Sequence, residues 1–341
     1  MVGSLIVNML FAAAWLVYWP ERADFITEET GDEIAGMHMK VTRRDVVGGA
    51  GVLAFQAIAG GEPARAETDM NTLPFAAMAP THVSKVGIKA KDADQLSKYY
   101  TDVVGLRELS RKGQTVVLGA GDTPLLEIEQ ASAIRADDPS SAGLYHTAFL
   151  LPRRIDLARW AKRAIDQRTP IVGASDHVVS EAIYLTDPEG NGIEIYADRP
   201  HESWKWNGSS VQMGTAALDV GNLLGGLKPD TAEWNGAPDG AMVGHLHLRV
   251  GNAGEAEEWW HRELGMQTVA GVGGSAVFLS TGGYHHHVAA NSWQSRGAGK
   301  RDNDRSGLAW AEFVSVDAKD EREIVDPWGN VMRIVPGKSF G

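Results

Sequence analysis

The chain has 341 residues, a net charge of −12, 43% hydrophobic residues and 22% charged residues. That composition fits a globular protein of about two domains and excludes a disordered chain. Cysteine is absent, which excludes disulfides, zinc–thiolate sites, iron–sulfur clusters and a thiol nucleophile. The acidic balance argues against a nucleic-acid partner. The 11 histidines direct attention to His/carboxylate metal chemistry.

Residues 1–66 read as a targeting segment. Lys40, Arg43 and Arg44 form a basic start after Met37 or Met39, and a Gly/Ala-rich apolar run covers 46–60. Pro63-Ala64-Arg65-Ala66 has the small-x-small pattern of a cleavage site. The pair Arg43-Arg44 resembles a twin-arginine signal. The expected mature chain is therefore exported, to a periplasmic location, with no stable membrane association after cleavage. Residues 2–19 are apolar enough to keep an N-terminal anchor or a cytoplasmic form as alternatives, and residues 1–36 read as a start assigned too far upstream.

The remainder repeats. Residues 84–109 align with 244–269 without a gap: Ile88 with Leu248, Tyr99-Tyr100 with Trp259-Trp260, Gly105 with Gly265. Each predicts an alternating strand and then a short amphipathic helix ended by glycine. Asp187-Pro188-Glu189-Gly190-Asn191 matches Asp326-Pro327-Trp328-Gly329-Asn330, each a tight turn into a strand. A helix is predicted over 155–165. Four modules thus begin near 82, 143, 241 and 307, the fourth being shorter. Residues 201–240 read as a linker between a first domain (80–200, modules 1 and 2) and a second (241–336, modules 3 and 4).

Four βαβββ-type modules in two tandem halves, α+β in class, resemble the vicinal-oxygen-chelate (glyoxalase/extradiol dioxygenase) superfamily. Three segments bring the resemblance closest to two-domain bacterial catechol 2,3-dioxygenases. They are Gly143-Leu144-Tyr145-His146-Thr147-Ala148, Asp176-His177-Val178 continuing to Tyr184, and Gly282-Gly283-Tyr284-His285-His286-His287. The resemblance implies extradiol cleavage of a small aromatic diol with O2. The same fold also serves isomerases and lyases of the glyoxalase kind, and a metal-free aromatic-binding protein is a third reading.

In such a fold, ligands come from the first and last strands of a module. Module 2 offers His146 and Glu194, and module 3 offers His245 on its first strand and His287 on its last. Modules 1 and 4 carry Lys85, Trp310 and Arg333 at the corresponding places, and His82 is out of register. No half holds a triad by itself. The expected site therefore lies between modules 2 and 3, with His146, His245 and Glu194 holding Fe(II), or Mn(II), which the same triad suits. Modules 1 and 4 would pair as a non-catalytic cup. By resemblance, the acid–base residue is His287, with His286 as the fallback if the register slips. Tyr184 would hydrogen-bond the bound diol, and His177, its tautomer set by Asp176, would complete the proton network. A homo-oligomer is left open.

Overall fold

The computed structural model describes residues 73–337; the expected export signal lies outside them. Module 1 runs β1 (Thr81–Ala90), α1 (Ala93–Tyr99), β2 (Arg107–Lys112), β3 (Thr115–Ala120) and β4 (Thr123–Gln130). Module 2 runs β5 (Gly143–Leu150), α2 (Arg154–Asp166), β6 (Gly173–Asp176), β7 (Ser180–Thr186) and β8 (Gly192–Asp198). Three short strands follow, β9 (Trp206–Asn207), β10 (Ser210–Val211) and β11 (Ala216–Ala217), and then α3 (Val220–Gly225). Module 3 is β12 (Met242–Arg249), α4 (Ala253–Leu264), β13 (Gln267–Val272), β14 (Ala276–Ser280) and β15 (Val288–Asn291). Module 4 is β16 (Gly307–Ser315), β17 (Arg322–Val325) and β18 (Val331–Pro336), with no helix after its first strand.

Local chemistry explains the repeats. Asp92 caps α1 by accepting from the Gln95 N–H, and Asn252 caps α4 by accepting from Gly254 and Glu255. Gly265 ends α4 in the left-handed region at φ 61°, where a side chain would be strained. Tyr100 and Trp260, from the aligned aromatic pairs, are fully buried core residues. In the two Asp-Pro-x-Gly-Asn turns, Asp187 and Asp326 each accept two backbone N–H groups and one Asn side-chain N–H.

The sheets do not follow the two halves of the sequence. One sheet has the order β17-β18-β16-β1-β4-β3-β2, joining modules 4 and 1 through the antiparallel pair β1/β16. The other has the order β11-β6-β7-β8-β5-β12-β15-β14-β13, joining modules 2 and 3 through β5/β12. Each half therefore gives one module to each sheet, and β1 packs against β12 where the sheets meet. The segment read as a linker is folded onto this frame: β11 pairs with the edge strand β6, and β10 packs against β13 at the opposite edge.

Candidate metal centre

The central row of the nine-stranded sheet brings distant residues together. Glu194 on β8 lies across from Ala148 on β5, and Ala148 lies across from His245 on β12. Residues in one row share a face, and His146, two residues before Ala148, shares it too. The three side chains rise around the small methyl of Ala148. His146 Nε2 lies 3.3 Å from His245 Nε2. One oxygen of Glu194 lies 3.1 Å from the first and 3.2 Å from the second. All three residues are buried, and among the described residues they are the group able to hold a metal ion.

The donors suit a divalent cation. Two imidazole nitrogens and a carboxylate oxygen converge at spacings close to the edge of a coordination polyhedron with bonds of about 2.1 Å. Burial pushes His245 down to about 4, so it is neutral at physiological pH. Burial pushes Glu194 upward, but electrostatic attraction and hydrogen bonds from the His245 and His146 rings outweigh it and hold the carboxyl well below its ordinary range. Neutral imidazole and ionised carboxylate are the ligating forms.

The sheet has a local twofold character, since His146 pairs with His247 just as Ala148 pairs with His245. That relation would place a second carboxylate opposite Glu194. The residue there, across from His247 on β15, is Ala289. The set therefore stops at two histidines and one carboxylate on one face, which leaves coordination positions open for substrate. In the seven-stranded sheet the corresponding place is filled. The Arg333 guanidinium lies 4.1 Å from the Trp310 ring and Lys85 Nζ 5.2 Å from it. The indole lies so close over Gly87 that a Cβ there would come within 2.3 Å of it.

Similarity to known proteins supplies the family. Residues 81–195 match the model of the Glyoxalase/Bleomycin resistance protein/Dioxygenase superfamily. A catechol-2,3-dioxygenase of Bacillus subtilis (strain 168) is 37% identical over 239 residues, covering 69% of this chain and 82% of that protein. The chain belongs to this superfamily. Among solved structures, glyoxalase I from Zea mays has a TM-score of 0.45 at 14% identity, over 77% of this chain and 94% of that one. The cppA protein from Streptococcus pneumoniae TIGR4 has a TM-score of 0.47 at 11% identity, over 75% and 99%.

The other expected site residues divide. Tyr184 lies directly across from Glu194, and its ring is 5.8 Å from that of His146. Its hydroxyl is 2.6 Å from His177 Nε2. The tautomer of His177 is set by Gly214, not by Asp176 as expected. His177 Nδ1 is 2.8 Å from the Gly214 carbonyl, which can only accept, so Nδ1 carries the proton and Nε2 accepts from Tyr184. Asp176 is occupied by Arg199.

His287 also departs from expectation. The strand begins at Val288, and the Gly282–Gly283 turn, with φ 66° and 76°, leads into an irregular stretch where strand alternation does not apply. The His287 ring is held by the Ala76 carbonyl at 3.1 Å and the Ser280 hydroxyl at 3.1 Å, away from the triad. His286 is the member of the triple that lies against His245, with ring centroids 4.1 Å apart. Two residues near the centre went unread in the sequence, although alternation marks both. His247 follows His245 by two on β12, and Asp198 follows Glu194 by four on β8.

Proposed function

We propose that this chain is an Fe(II)-dependent extradiol dioxygenase that opens the ring of a catechol-like diol, with both atoms of O2 retained in the product. The observation that carries the reading is the buried three-ligand set His146, Glu194 and His245, with Ala289 where a fourth ligand would stand. Isomerases of the glyoxalase kind would be expected to complete that fourth position. His146, Glu194 and His245 would hold ferrous iron, which would supply Lewis-acid and redox chemistry toward the diol and O2.

The protein's own groups handle orientation and protons. Burial holds His247 and His286 well below the ordinary histidine range, so they stand neutral. His286 takes the acid–base role first expected of His287, because it is the one beside the ligands. Tyr184, donating its proton to His177, turns oxygen lone pairs toward a diol hydroxyl and orients it. Tyr145, Phe278 and Trp293 gather around His247, a wall suited to a flat ring. Export through the expected leader would deliver the folded, metal-loaded enzyme to extracytoplasmic phenolics.

The test is to load the full chain with Fe(II) anaerobically, add catechol, admit air, and follow O2 uptake with the yellow absorbance of a ring-opened semialdehyde. One O2 consumed per product is expected. Tight metal binding without O2 uptake from any diol would overturn the oxygenase reading in favour of an isomerase or lyase.

A further inference from the structure

Behind His286 lies a chain of hydrogen bonds that the reaction as described above does not use. It begins at Asp198, at the end of β8. Asp198 Oδ1 is 2.8 Å from His285 Nε2. His285 Nδ1 is in turn 2.8 Å from His286 Nδ1. Tyr284 adds its hydroxyl to Asp198 at 3.4 Å, and Tyr196 reaches the Tyr284 oxygen at 2.7 Å. The two histidines are buried, at 0% and 7% exposure, so water does not compete for these bonds.

The order of donors and acceptors starts from the carboxylate. An ionised carboxylate only accepts, so His285 carries its proton on Nε2. With a single proton on the His285 ring, Nδ1 presents a lone pair, and the short contact then has His286 donating from Nδ1. His286 Nε2 is left bare, on the ring that lies against His245. Among the described residues that nitrogen has no hydrogen-bond partner.

We propose that Asp198 and His285 are positioning residues that lock His286 in the tautomer whose bare Nε2 receives a proton from the diol. The proposal rests on the ring-cleavage reading of the site. In the step itself, Nε2 takes the proton of one diol hydroxyl, giving an imidazolium and a phenolate, and later returns it to an oxygen of the opened product. No electron is gained or lost by the histidine. The positive charge formed on His286 points through His285 toward the Asp198 carboxylate, which stabilises it as a carboxylate stabilises the base of other carboxylate–histidine pairs.

The test pairs a spectroscopic readout with kinetics. Histidine ring nitrogens, 15N-labelled in the full chain without added metal, report the tautomer by two-bond 1H–15N NMR, with His285→Gln and His286→Gln variants for assignment. Expected are a protonated Nδ1 and a bare Nε2 on His286, with that preference lost in Asp198→Asn. In the Fe(II)-loaded enzyme with catechol, Asp198→Asn should lower kcat about 100-fold or more. KM and bound iron should stay within about twofold, and Asp198→Glu should recover part of the rate. A protonated Nε2 in the wild type, or full kcat in Asp198→Asn, overturns the proposal. The expected tautomers in a protein that cleaves no diol would leave the positioning intact and sink the ring-cleavage reading instead.

Discussion

His245 and His287 are both buried, and burial holds them down, to about 4 and about 3 respectively. A histidine in the unfolded chain titrates near 6.5. Between these values the unfolded state binds protons that the native state does not, so stability rises with pH there. Their contribution is complete above pH 6.5 and is lost as pH falls toward 4 and then 3. The metal-free protein should accordingly show a urea midpoint that drops steadily below pH 6.5, and His287→Gln should make that whole drop shallower. A midpoint independent of pH from 7 to 4 would contradict the assignment. Val178 is a second residue with a measurable cost. It holds φ at 72°, a left-handed conformation that a β-branched side chain adopts only under strain. Its side chain is exposed, so Val178→Gly should raise stability by about 1 kcal/mol, read as a higher thermal midpoint. If the midpoint falls, the strain argument is wrong.

At the scale of elements, the row Glu194–Ala148–His245 depends on a small residue in the middle strand. Ala148→Phe should fill the space into which the ligand atoms converge. Metal binding should fall by more than about 100-fold while all three ligands remain, a loss at least as large as removing an outer-shell partner. Unchanged affinity by metal titration would show that the ligands meet elsewhere. This row was legible in the sequence, because alternation along the first and last strands of module 2, and the module 3 strand aligned with them, already set His146, Glu194 and His245 on common faces. The triple histidine was not. Its reading assumed a regular strand through His287, whereas two glycines at positive φ turn the chain just before β15 and break the alternation. The tautomer of His177 was equally out of reach. Its partner, the Gly214 carbonyl, comes from a segment that looked like a linker, and the pairing of β11 with β6 helps carry that segment to the site.

For the whole molecule, the consequence of the topology is that neither half of the sequence is a structural unit. β1/β16 and β5/β12 each join a strand of the first half to one of the second. One buried apolar cluster runs through all four modules. Unfolding should therefore be a single cooperative transition by fluorescence and by circular dichroism, with no separate midpoint for the two halves. Saturation with a divalent metal at about 100 times its Kd should raise that single midpoint, since about 2.7 kcal/mol of binding energy is added to the native state. For a domain of this size that corresponds to a shift of roughly 5–10 °C. Two transitions, only one of them moved by metal, would contradict the shared-sheet picture.

We propose that one iron centre is built from both halves of the chain, with His245 the ligand contributed by the second. The most direct measurement compares the wild type with His245→Ala after anaerobic loading with Fe(II), reading bound iron and the yellow ring-opened product together. About one iron per chain and product formation are expected in the wild type, with both lost in His245→Ala. Product formation that survives in His245→Ala would contradict it.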